Sequence, residues 1–271
     1  MNLKRILTSL IGLPLVIILL VFGNKYIVDV AISIVAIICL SEYFNAIGGR
    51  SKNLKWLTYI MAVLIAFIHI IPMQKETNLI SIIIPLSVLG LFAYVVFSNM
   101  KYNINDIALC MFAICYIVIF LMFLPIIRNM ENGKITIWFV FFSAWGTDTA
   151  AYLIGKKFGK HKFSQISPNK SIEGCIAGLI GATLLSTIYT LICNRFLGMD
   201  FNYFYIIIIA ILLSAVGQLG DFAASSIKRY FGIKDFSNLI PGHGGMIDRM
   251  DSVIFIAPVA YFLLTLIWKY C

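Results

Sequence analysis

Apolar runs of bilayer-spanning length recur from one end of this 271-residue chain to the other, and they leave few folds open. A helix needs about 20 mainly apolar residues to cross a bilayer, because its backbone polar groups must be satisfied without water. Nine such runs can be drawn: 6–22, 26–47, 54–71, 79–98, 107–127, 135–155, 176–197, 203–230 and 251–268. With 61% of residues hydrophobic and only 12% charged, no soluble core would absorb the apolar surface. The expected fold is therefore all-α, a polytopic integral membrane bundle of about nine helices forming one domain over 1–271. The first run follows Lys4 and Arg5 but ends without a small-x-small cleavage pattern, so it is read as an uncleaved span.

Charge sets the expected orientation. With the N-terminus cytoplasmic, fifteen of the 21 Lys and Arg fall on the inside, including those of two basic loops, 156–175 and 228–250. The net charge of +9 is thus concentrated on one membrane face, which favours anionic lipids and nucleotide phosphates as partners over nucleic acid. The six cysteines show no zinc-type spacing and read as packing residues.

Chemistry is concentrated after residue 134. Segments before it carry no cluster of catalytic residue types and read as scaffold, with Glu42 and Asp29 as lone acids that find partners within the bundle or at its surface. After it, Asp148 and Asp221 enter apolar helices, where an ionised carboxylate is costly unless compensated. Either is explained as well by a structural hydrogen bond as by function when taken alone. Asp248 and Asp251, three residues apart, share one face of a helix beginning near Ile247. Such oxygen donors suit Mg²⁺, with Asp221, Asp248 and Asp251 as ligands, although an acid at a helix start also serves as a cap.

Pro241-Gly242-His243-Gly244-Gly245 cannot continue a helix and is expected to form a tight loop whose N–H groups approach an anion. His243, Gly244 and Gly245 are candidate substrate contacts, and His243 serves equally well as a loop hydrogen bonder. Lys228 and Arg249 are candidate catalytic cations, with Arg229 and Lys234 beside them; ordinary inside-loop basicity is the competing explanation. Asp148, Lys170, Ser225 and Asp235 complete the candidate substrate set. Glu173 is placed as a cap or as a partner of Lys170. The basic stretch 155–162 contains no phosphate-loop motif of the ATPase type.

Four blocks in order carry a family resemblance: Trp145 to Tyr152, Gly155 to Lys162, Ser167 to Gly174, and Gly220-Asp221 continuing through Ser225 to Asp251. Together they resemble the phosphatidate cytidylyltransferases, the makers of CDP-diacylglycerol. Two positions depart from the pattern: Ala224 stands where many members have Glu, and Ile172 where many have Trp. The resemblance implies a nucleotidyltransferase of phospholipid biosynthesis. Its expected substrates are CTP and phosphatidate, Mg²⁺ is required with room for a second cation, and the active site faces the cytoplasm at the inner (plasma) membrane. A homodimer is compatible with it. Competing readings are a transporter using Asp148 and Asp221 as ion sites, and a polyprenol kinase. A CDP-alcohol phosphatidyltransferase is disfavoured, because its Asp-Gly-x2-Ala-Arg pattern is missing.

Overall fold

Local chemistry decides where the helices begin. Asn24 sits in extended backbone and accepts a hydrogen bond from Ile27 N at 2.9 Å, starting helix α2 at Lys25. Asn103 and Asp106 form a reciprocal capping box that starts α5 at Ile104. Ser171 accepts from Gly174 N at 3.1 Å and starts α8 at Ile172, four residues before the apolar run alone predicts.

The computed structural model describes residues 3–48, 54–68, 78–164, 167, 170–240, 242 and 244–270. Its helices are α1 (Leu3–Phe22), α2 (Lys25–Ile47), α3 (Lys55–Val63), α4 (Asn78–Phe97), α5 (Ile104–Ala113), α6 (Phe120–Asn129), α7 (Gly133–Phe158), α8 (Ile172–Phe196), α9 (Tyr203–Tyr230) and α10 (Ile247–Tyr270). A 3₁₀ turn, Leu64–Phe67, continues α3, and a π-helical turn, Ile114–Ile119, joins α5 to α6 into one continuous rod. No named strand occurs among the described residues.

Seven helical stretches among them are long and apolar enough to cross a membrane. Two shorter apolar stretches, Gly12–Phe22 and Lys55–Phe67, fall on the first and third expected spans. The all-α membrane architecture is thus present. The ends differ from expectation where caps or charged turns extend the helices. Lys156 and Lys157 lie in the last turn of α7, and α10 starts at Ile247, where the shared face of Asp248 and Asp251 puts the helix start, four residues before the apolar run 251–268. Both basic loops are shorter as a result, 159–171 and 231–246.

The chain divides into two compact units, Met1–Asn129 with Phe231–Arg249, and Met130–Tyr230 with Met250–Cys271. In the first, α2 supplies a fully buried row that includes Val28, Ala36, Leu40 and Phe44. Side-chain bonds tie that row to its neighbours: Ser33 Oγ donates to Ala62 O at 2.9 Å, and Tyr43 Oη to Leu109 O at 3.3 Å. Arg128, 4% exposed, closes the end of α1, with Nε donating to Leu20 O at 2.8 Å and Nη2 to Gly23 O at 3.1 Å.

The second unit is built on small residues. A Cβ added at Gly146 of α7 would lie 2.9 Å from Ala182 Cα, and one at Gly181 of α8 would lie 2.3 Å from Ala150 Cβ. The α7 and α8 backbones therefore nearly touch. The opposite face of α8 carries Ile176, Ile180, Leu184 and Ile188, each more than half exposed and four residues apart, as a lipid-facing stripe requires. Helix α9 approaches α10 by the same device, since a Cβ at Gly220 would meet Asp251 O at 2.6 Å.

Candidate active site

In the second unit, Lys170 is the centre of a charged group. It precedes the α8 cap Ser171, and its backbone is fixed on both sides: Lys170 N donates to Ser167 O, and Phe163 N donates to Lys170 O, both at 3.0 Å. Its stem lies against the ring of Phe222, with Nζ 4.6 Å from the centroid, and Phe163 stacks on that ring from 4.7 Å. The ammonium forms a salt bridge with Asp221 Oδ2. Burial pushes the Lys170 pKa below its ordinary 10.5, while the charges of Asp148 and Asp251 pull it back up and Lys228 opposes them.

One cation thus stands among three carboxylates, Asp148 from α7, Asp221 from α9 and Asp251 from α10, with Lys228 acting on the same group. The glycine contacts of α9 place Asp221 and Asp251 on adjacent helices at a point of close approach. Gln218 Nε2 donates to Cys175 O at 3.0 Å and ties α9 to α8 beside them. Ser225 follows Asp221 by one turn and is half-buried, whereas Arg229 is exposed at the end of α9.

Glu173 does not partner Lys170. Its carboxylate accepts from His161 Nδ1 at 2.6 Å and from the backbone N–H groups of Lys160 and His161, so it folds the loop back onto the start of α8. Lys170 is left to Asp221, 51 residues away, a pairing with no local signature.

The first unit holds the remaining candidates. Gly242 and Gly244 adopt φ of 81° and 83°, a left-handed backbone open to glycine, and Ile240 N donates to Gly244 O at 2.9 Å. The expected tight loop is present. Its N–H groups face the chain's own anions: Asp248 Oδ2 accepts from Phe236 N and Gly245 N, both at 3.0 Å. Asp248 is therefore buried and engaged in the loop, while Lys234, Asp235 and Arg249 are exposed. His243 and Pro241 lie outside the described residues.

Sequence reasoning gave Glu42 a structural partner within the bundle or at its surface but named none. This α2 residue, 4% exposed, accepts from Ser237 Oγ at 2.6 Å, Met246 N at 2.8 Å and Ile247 N at 2.9 Å, and so caps α10 from a helix about 200 residues earlier. Its only sequence signal is an acid in an apolar helix, which names no partner.

Asp148, Asp221 and Asp251 supply the hard oxygen donors that Mg²⁺ prefers, around a point already occupied by an ammonium. Among the described residues no group of three or more carboxylate, imidazole or thiol side chains is placed to hold a metal ion. A bound ion would thus complete its shell with water and substrate oxygens, as Mg²⁺ usually does.

The cytidylyltransferase family matches residues 3–267. A phosphatidate cytidylyltransferase of Bacillus subtilis (strain 168) is 33% identical over 274 residues, covering 97% of both chains. Those of Staphylococcus haemolyticus (strain JCSC1435) and Staphylococcus aureus (strain COL) are 33% and 35% identical, each covering 96% of this chain and 98% of the relative. With an apolar helical body, compensated intramembrane carboxylates and similarity along nearly its whole length, the chain belongs to the cytidylyltransferase family, groups with the phosphatidate cytidylyltransferases, and is a membrane-embedded nucleotidyltransferase.

Proposed function

We propose that the protein transfers the cytidylyl group of CTP to phosphatidate, forming CDP-diacylglycerol and pyrophosphate at the cytoplasmic face of the inner (plasma) membrane. The observation that carries this reading is Lys170 bound to Asp221 and flanked by Asp148, Asp251 and Lys228, at the ends of helices whose outer faces are apolar. A phosphate oxygen of phosphatidate attacks the α-phosphorus of CTP, and the bond to the departing pyrophosphate breaks in line. The nucleophile is already ionised, so no strong general base is needed, and positioning with charge neutralisation dominates. Lys170 and Lys228 neutralise phosphate charge, and Ser225 and Arg229 orient the substrates.

Asp221 and Asp251 are the proposed holders of Mg²⁺, with Asp148 beside them. When bound, the ion supplies charge neutralisation to the phosphates of CTP. For Asp248 metal ligation rests on the motif; the bonds it makes hold the loop. For His243, Gly244, Gly245, Lys234, Asp235 and Arg249 a substrate contact likewise rests on the motif. A second cation, bound anionic lipids, the ninth span, a cytoplasmic N-terminus and a homodimer belong to the same reading.

The test is Mg²⁺-dependent pyrophosphate release from CTP by purified protein in detergent, with and without phosphatidate. Release should require both substrates and fall by about a hundredfold or more in Asp221→Asn. Release without phosphatidate would make the protein a CTP hydrolase. None at all from folded protein would leave the ion-transport reading of Asp148 and Asp221 in front.

A further inference from the structure

We propose that Glu42, in the helical part that sequence marks as scaffold, is a positioning residue for the transfer, fixing the loop that carries Gly244 and Gly245 and the start of α10. The inference rests on the function proposed above. Three donors converge on this one buried carboxylate: the Ser237 hydroxyl and the N–H groups of Met246 and Ile247. Ser237 Oγ accepts in turn from Leu239 N at 3.1 Å, which carries the restraint into the middle of the loop. At the other end of the same turn, Asp248 Oδ2 holds Phe236 N and Gly245 N. Two carboxylates thus hold Phe236, Ser237, Gly245, Met246 and Ile247, one from α2 and one from α10 itself.

Gly245 shows how closely the clamp is fitted. A Cβ there would lie 2.6 Å from Glu42 Oε2 and 2.9 Å from both Cδ and Oε1. A side chain at 245 would press directly on the Glu42 carboxylate. The Gly245 backbone N–H meanwhile serves Asp248, so the last glycine of the motif stands between the two anions. An anion at the start of α10 also meets the positive end of the helix dipole, which strengthens its hold on the first-turn N–H groups. Of the glycine-rich loop, the Gly245 N–H is engaged by the chain's own Asp248. Substrate phosphate is then met by a loop that is already set.

Positioning of this kind acts on turnover more than on substrate capture, since a displacement of about 1 Å can cost a hundredfold in rate. Glu42→Gln preserves size and one acceptor oxygen while removing the charge. It should lower kcat about tenfold or more with the KM for CTP changed less than about threefold, and the amides of Met246 and Ile247 should exchange about tenfold faster. Glu42→Asp should recover part of kcat. Gly245→Ala, which presses on the carboxylate from the loop side, should reproduce the kcat loss with Glu42 in place and covers the case in which a Glu42 variant fails to fold. Activity that falls only with the folded fraction across the series would make Glu42 structural and overturn the proposal. So would unchanged exchange at Met246 and Ile247 in Glu42→Gln. A folded wild-type protein without transfer activity overturns the functional reading instead, and Glu42's hold on the loop is then decided by exchange alone.

Discussion

Placing a methyl group at Gly181 gives the sharpest test of the α7–α8 interface. The new Cβ would sit 2.3 Å from Ala150 Cβ and 3.0 Å from Gly146 O, where ordinary contact begins at 3.4 Å. Neither neighbour can swing aside, because one is a backbone oxygen and the other has no rotatable bond. The helices must part by roughly 1 Å, at an overpacking cost of about 1–3 kcal/mol. Against this, Ala is the better helix former by about 1 kcal/mol. Gly181→Ala should therefore be destabilising by up to about 2 kcal/mol. Ala150→Gly alone should cost about 1 kcal/mol for the opposite propensity change. In the double variant the methyl group has simply moved from α7 to α8 and the 2.3 Å clash is gone. The two changes should couple favourably by about 1–2 kcal/mol, within the range seen for residues in contact. Unfolding in detergent by denaturant, with transfer activity followed in the same preparations, measures all three variants. Additivity to within about 0.5 kcal/mol, or a Gly181→Ala protein more stable than wild type, would refute the close approach of the two backbones.

Other consequences can be checked independently. Arg128→Lys should destabilise the protein by about 2 kcal/mol in detergent unfolding, because an ammonium cannot span Leu20 O and Gly23 O as the guanidinium does. The depressed Lys170 pKa gives a pH dependence of defined sign. Below the folded-state pKa the residue is charged in both states and the burial penalty is fully present. As pH rises from there toward 10.5 the folded state releases its proton first, so the penalty fades and stability rises. In metal-free buffer, wild type should gain stability relative to Lys170→Met across that alkaline window. A difference that is flat or falling with pH would contradict the burial of the ammonium.

The spans were legible because their signal is local and repeated: α9 runs from Tyr203 to Tyr230 as its apolar stretch predicts. The tight loop at Gly242 to Gly245 was legible for the same reason, since Pro and Gly act on their own backbone. Asp248 lies in the first turn of α10 and Asp251 follows three residues later in the same helix, as their spacing predicts. What sequence did not yield is pairing at a distance. Lys170 beside Asp221, Glu173 turned toward His161, and Glu42 at the start of α10 all depend on which helices pack together. Helix ends moved where a cap overrode hydropathy, as Ser171 does for α8. The division at residue 134 into scaffold and catalytic halves marks a change in composition, while the fold gathers residues 231–249 with 1–129.

The clamp at Glu42 has a bearing on biogenesis. Helix α2 is synthesised early, yet its carboxylate finds its donors in Ser237, Met246 and Ile247, residues made 195 to 205 positions later. Until then the acid sits in an apolar helix without the N–H groups that satisfy it, a condition the membrane penalises. The growing chain thus carries an internal record of its own incompleteness, cleared only when the segment that starts α10 has been made. A prematurely ended product would leave the α2 acid without these three donors.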